Sequence, residues 1–108
     1  MTSSGSLRIG ILASGEGSTL QAILDACAVG SIGATVTLVI SNNRDSGALR
    51  RARSSNVAAL HLSSITHPTA ETLDRAILMA LLASKVDVVV LVGYMKNIGS
   101  ATLSRFKG

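Results

Sequence analysis

The run Leu7-Arg8-Ile9-Gly10-Ile11-Leu12-Ala13 stops at the polar, glycine-rich stretch Ser14-Gly15-Glu16-Gly17-Ser18, and helical spacing begins directly after it. A short apolar run ending in a glycine turn reads as a buried strand. Ser18 followed by Gln21 has the form of a capping box, which starts a helix. Leu20, Ile23, Leu24 and Cys27 then fall on one helical face, and Gly30 and Gly33 bracket the exit. A strand feeding a helix through a tight glycine turn is the first half of a βαβ unit, and that unit constrains the remainder of the chain.

The pattern repeats. Residues 35–40, rich in β-branched side chains, predict a second strand; 41–47 is a polar loop; 48–54 predicts a short helix, broken at Asn56. Residues 57–62 predict a third strand and 63–68 a loop. Thr69 is placed to cap a third helix, with Glu71 and Asp74 near its positive end. Leu73, Ile77, Ala80, Leu81 and Ser84 mark one face of that helix. Residues 86–92 predict a fourth strand, whose unbroken valines point to burial on both faces, as in a central parallel strand. Residues 100–107 predict the start of another helix. Strands alternating with helices predict an α/β fold: a Rossmann-like open parallel sheet of four strands with flanking helices and right-handed crossovers. Residues 1–6 read as a flexible N-terminus and 7–108 as one domain. With only Tyr94 and Phe106 as aromatics in a chain that is 47% hydrophobic, the core must be aliphatic.

The net charge of +4 favours anionic ligands. Arg44, Arg50, Arg51 and Arg53 read as a solvated face, because no nucleic-acid motif accompanies them and base-stacking aromatics are lacking. The single Cys27 excludes an internal disulfide and packs as a small apolar group. No leader and no membrane-length apolar run is visible, so the chain is expected to be cytoplasmic, with neither membrane nor nucleic acid as partner. His61 and His67 have no second ligand at metal spacing, and His67 is expected to be an exposed loop residue. Asp87, at the amino end of its strand, is expected to be structural.

Ligands of open parallel sheets bind beyond the carboxyl ends of the strands, here loops 14–18, 41–47, 63–68 and 93–99. In the first of these, Gly15 and Gly17 permit a tight turn and close backbone approach. The amides of Gly17, Ser18 and Thr19 would lie at a helix start, which bears unpaired N–H donors and a partial positive charge suited to phosphate. An ordinary βα turn has the same composition. The loop is not a Walker loop, since no Gly-Lys-Ser/Thr follows, and Leu20 stands where a dinucleotide fold has its third glycine. A phosphomonoester therefore fits better than NAD. In the last loop, Tyr94, Met95 and Ile98 would either line a slot for a planar ligand or simply cover the sheet.

The segment from Ile11 to Ile23, with Ser-Gly-x-Gly-Ser-x-Leu-Gln at its centre, together with Ile40-Ser41-Asn42 and Val88-Val89-Val90-Leu91-Val92-Gly93-Tyr94-Met95-Lys96, resembles the N-terminal half of the phosphoribosylglycinamide formyltransferases. The resemblance runs from about Leu7 to the end of the chain. It implies folate-dependent transfer of a formyl group from 10-formyltetrahydrofolate to glycinamide ribonucleotide in purine biosynthesis, without a metal. By that resemblance the substrate phosphate lies on Gly17, Ser18 and Thr19, and Met95, Lys96, Asn97 and Ile98 border the folate. Ala70 occupies the position where this family often has a folate-contacting basic residue. The family's catalytic Asn-x-His is expected beyond Gly108, so these 108 residues are expected to bind phosphate weakly and to transfer no formyl group. The same resemblance implies a further strand beside 86–92, without which that edge is open to self-association. A non-catalytic phosphate- or nucleotide-binding Rossmann-like half-domain is the alternative reading.

Overall fold

The computed structural model describes residues 7–30, 33–63 and 65–92. The elements run β1 (Leu7–Ala13), α1 (Ser18–Ala28), β2 (Ala34–Ser41), α2 (Gly47–Ser54), β3 (Ala58–His61), α3 (Ala70–Ala83) and β4 (Val88–Val92). All three strand pairings are parallel, in the order β3-β2-β1-β4. The chain builds outward from β1 to β3, then crosses back to lay β4 on the other side of β1. This reversal makes the carboxyl ends of β1 and β4 the topological switch point, where open α/β sheets form their ligand crevice.

The reason β1 is central is visible in its side chains. Ile9, Ile11 and Ala13 bury themselves against Leu20 and Leu24 of α1 and Ala48, Leu49 and Ala52 of α2. Leu12 points to the opposite face, where it joins Leu38, Ile40, Val86 and Ile77 and Leu81 of α3. A strand with no polar face needs cover on both sides, and α1 and α2 on one side with α3 on the other supply it.

Strict alternation would put Val36, Leu38 and Ile40 on one face. Instead the register slips between Ile9 and Gly10: Ile9 pairs with Val36 and Gly10 with Leu38. The extra residue, Thr37, sends its hydroxyl to the Ile9 carbonyl at 3.5 Å. One extra residue inverts the side-chain alternation beyond it. Val36 and Val39 therefore both face α1 and α2, while Leu38 and Ile40 face α3.

The three helices expected before β4 are present, with two corrections, and the helix expected to start within 100–107 lies outside the described residues. Ser18 is not the cap of α1: Gly17 occupies that position, and no side chain caps the helix. Gln21 is not part of a capping box; its amide donates to Asp25 Oδ1 at 3.0 Å. The physical reason is that the backbone turns into the helix one residue early, through the left-handed Gly17, so Ser18 is already helical. Thr69 does cap α3, its hydroxyl accepting from Thr72 N at 3.1 Å. Asn56, with φ of 60°, ends the turn after α2, and Gly30 closes α1 from the left-handed region.

β4 is less buried than its unbroken valines predict. Among the described residues it is the edge of the sheet, with Val88 38% and Leu91 53% exposed. Its valines make a strand without a polar face, but only β1 flanks it here. Asp87 is structural: its Oδ2 accepts from Arg8 N at 2.9 Å, and its own N donates to the Arg8 carbonyl at 2.8 Å. No helix of the described residues is long and apolar enough to cross a membrane.

Leu81 is fully buried against β1, whereas Met79 on the same helix is 63% exposed. Leu81→Ala should cost about 2–5 kcal/mol, and Met79→Ala less than about 0.5 kcal/mol, as read from urea midpoints. Equal midpoints for the two variants would contradict this placement of α3.

Candidate functional site

Four features meet where β1 runs out. Gly17 takes φ 86° and ψ 25°, which an L-residue with a Cβ adopts only at a cost. A Cβ on Gly17 would also stand 2.8 Å from Ala48 Cα. A Cβ on Gly47 would collide with the Glu16 carbonyl oxygen. The Ala48 N–H donates to the Gly15 carbonyl at 3.2 Å. The start of α2 is thus seated directly on the loop between β1 and α1. Gly15 plays a different part from the one its sequence position indicates: a Cβ there meets nothing within 4 Å, and its φ is not positive.

The first intrahelical bond of α1 runs from Gln21 N to the Gly17 carbonyl at 2.8 Å. Helix geometry leaves the N–H groups of Gly17, Ser18, Thr19 and Leu20 without intrahelical acceptors. Elsewhere in this fold such ends are satisfied by side chains. Ser46 caps α2 by accepting from Leu49 N at 3.2 Å, and Thr69 caps α3. Only α1, among the three described helices, lacks a side-chain cap. Ser18 and Thr19 are exposed at this end.

A basic residue also stands here that sequence reasoning assigned to a solvated face. Arg51 is half-buried; its Nε donates to the Glu16 carbonyl at 2.9 Å and a terminal nitrogen donates to Gln21 Oε1 at 3.3 Å. Arg50 follows the expectation, lying exposed with a bond to the Asp45 carbonyl at 2.8 Å. Nothing in the sequence separates the two arginines except helical phase: Arg51 lies on the side of α2 that turns toward the first loop.

The second loop begins with the fully buried Ser41, whose hydroxyl accepts from Asn43 N at 3.1 Å. Next to it the buried Asn42 Oδ1 has no hydrogen-bond partner among the described residues. In the third loop His67 is half-buried rather than exposed, with Nδ1 2.9 Å from Thr66 Oγ1. Ala70 is the first residue of α3. The expected folate-side residues Met95, Lys96, Asn97 and Ile98 lie outside the described residues. The described chain before them ends at Val92, which pairs with Ala13 in the register of β1 and β4. Among the described residues no three metal-ligating side chains gather.

A cavity of about 250 Å³ lies at the other end of the sheet, lined by Leu24, Cys27, Thr35, Val36 and Val57 among others. It lies between the last turns of α1 and the amino end of β2, away from the uncapped start of α1. A phosphate site needs convergent N–H donors rather than enclosed apolar volume, which makes the first loop the better candidate of the two.

Gly17→Ala must place a methyl group against Ala48 in a left-handed backbone, and is expected to cost about 1–3 kcal/mol. Gly15→Ala, with open space and an ordinary φ, should leave the urea midpoint unchanged or slightly raised. A Gly17→Ala variant as stable as wild type would mean that the loop is not held as described.

Comparison with known proteins gives the family. The chain is 38% identical over 102 residues to phosphoribosylglycinamide formyltransferase of Escherichia coli (strain K12), an alignment covering 94% of this chain and 48% of that protein. It is 31% identical over 103 residues to the trifunctional purine biosynthetic protein adenosine-3 of Chironomus tentans, covering 94% of this chain and 8% of that one. The crystal structure of glycinamide ribonucleotide transformylase 1 from Symbiobacterium toebii superposes with a TM-score of 0.91 at 41% identity, over 96% of this chain and 49% of that one. The chain therefore spans about half the length of the bacterial relatives it matches. The formyl transferase family model matches residues 7–108, and with the parallel sheet and its uncapped first helix this places the chain in the formyl transferase family.

Proposed function

We propose that this chain forms the substrate-phosphate half of a phosphoribosylglycinamide formyltransferase, acting in the cytoplasm on glycinamide ribonucleotide with 10-formyltetrahydrofolate as cosubstrate. The observation that carries the reading is the uncapped start of α1 at the end of the central strand, in a chain whose relatives bear that enzyme's name.

The phosphate of glycinamide ribonucleotide would accept hydrogen bonds from the amides of Gly17, Ser18 and Thr19. These backbone donors do not titrate, and the α1 dipole adds a partial positive charge at the same point. Bonds to a doubly charged phosphoryl group are stronger than those between neutral groups. Holding the phosphate fixes one end of the substrate, so that its amine is presented at a set distance from the crevice between β1 and β4. 10-Formyltetrahydrofolate supplies the formyl carbon that the amine attacks. Met95, Lys96, Asn97 and Ile98 would border that cosubstrate. The pairing of Ala13 with Val92 supports the arrangement, because the carboxyl ends of β1 and β4 then lie side by side. The 108 residues contain no Asn-x-His sequence, and the binding half is expected to hold substrate without turning it over.

Calorimetric titration of the chain tests this reading. Glycinamide ribonucleotide should bind at least about tenfold more tightly than the unphosphorylated riboside, the equivalent of one charge-assisted bond, with no formyl transfer in the presence of 10-formyltetrahydrofolate. Equal binding of nucleotide and riboside, tighter binding of NAD, or turnover by the chain would contradict it.

The β4 edge, unpaired among the described residues and with Val88 and Leu91 exposed, supports self-association through residues 86–92. Sedimentation velocity should show the mean mass rising with protein concentration. A monomer of constant mass at every concentration would contradict this.

A further inference from the structure

Arg51 is the one charged side chain of α2 that reaches back to the first loop, across 35 residues of sequence. Its Nε–H meets the carbonyl of Glu16, and that carbonyl shares a peptide unit with the Gly17 N–H. The neighbouring peptide is held in the same way: the Gly15 carbonyl accepts from Ala48 N, and its own N–H belongs to Glu16. In a trans peptide the C=O and N–H point in opposite directions. Two successive carbonyls drawn onto α2 therefore turn two successive N–H groups, of Glu16 and Gly17, away from α2 toward the exposed side of the loop. A guanidinium on the carbonyl also polarises the Gly17 peptide and strengthens its N–H as a donor. The terminal nitrogen of Arg51 on Gln21 Oε1 ties the same group to the first turn of α1.

We propose that Arg51 is a positioning residue for the phosphate site, pre-orienting and polarising the Glu16–Gly17 peptide so that its N–H joins the α1 amides in binding the phosphoryl group. The inference rests on the phosphate reading given above. Arg51 does not touch the ligand itself. Its role needs a fork that serves two acceptors on different elements, and lysine, a single point of charge, does not reproduce this.

The test compares wild type, Arg51→Met, Arg51→Lys and Arg50→Met by titration with glycinamide ribonucleotide and with the unphosphorylated riboside. The ratio of the two dissociation constants is the readout, because a general loss of stability does not change it selectively. Arg51→Met should lower the wild-type ratio by about tenfold, the worth of one charge-assisted hydrogen bond. Arg51→Lys, which keeps the charge and the aliphatic stem and so decides the matter if the Met variant does not fold, should fall between the two. Arg50→Met, which removes the same charge from the exposed side of α2, should keep the wild-type ratio. A wild-type ratio near one would overturn the phosphate reading itself. A high wild-type ratio retained in both Arg51 variants, or lost equally in Arg50→Met, would overturn the role of Arg51 and leave that reading standing.

Discussion

The contact between the start of α2 and the loop after β1 constrains everything that follows from it. Gly47 lies so close to the Glu16 carbonyl that no side chain fits between them, and Ala48 closes over Gly17 in the same way. This seat forces Gly17 into the left-handed region and starts α1 there, before a serine can cap it. The first βα unit thus takes its loop conformation from the second. Two glycines separated by 30 residues of sequence answer one steric requirement, and the N–H groups released at α1 are its consequence.

The sheet holds this seat in place. β1 is buried on both faces, so its carboxyl end cannot shift without disturbing α1 and α2 on one side and α3 on the other. The bulge at Thr37 allows β2 to serve both layers, sending Val36 and Val39 one way and Leu38 and Ile40 the other. β4 completes the switch point by bringing Val92 alongside Ala13, at the cost of an uncovered edge among the described residues. On the proposed reading, a rigid central strand, a loop wedged by the neighbouring helix and an uncapped helix start would together preorganise an anion site, with little reorganisation needed when phosphate arrives.

The order and kind of every described element were legible in the sequence, because apolar runs, glycine turns and helical spacing are local signals. The parallel sheet followed from their alternation, and Gly17, Ser18 and Thr19 could be placed at the helix start from the loop alone. What escaped was non-local. The bulge at Thr37 depends on pairing with Ile9, and alternation within 35–40 gives no hint of it. Ser18 and Gln21 have the letters of a capping box, but the packing of Ala48 on Gly17 determines where the helix begins. Arg51 read as one of several surface arginines because its partners, Glu16 and Gln21, are distant in sequence. The valines of β4 report a strand with no polar face, and composition cannot say which neighbours cover it. Resemblance reached further than local chemistry at Met95 to Ile98, whose role is argued from the family and from the register of Val92 rather than from described side chains.

The central claim is that the backbone amides at the start of α1 hold a phosphoryl group. The most direct measurement is a titration of the isotopically labelled chain with inorganic phosphate, followed through its backbone amide resonances. The account predicts that the largest saturable shifts fall on Glu16, Gly17, Ser18 and Thr19, with chloride at matched ionic strength producing none of them. Shifts scattered over the surface arginines, or an unmoved first loop beside responding residues elsewhere, would contradict it.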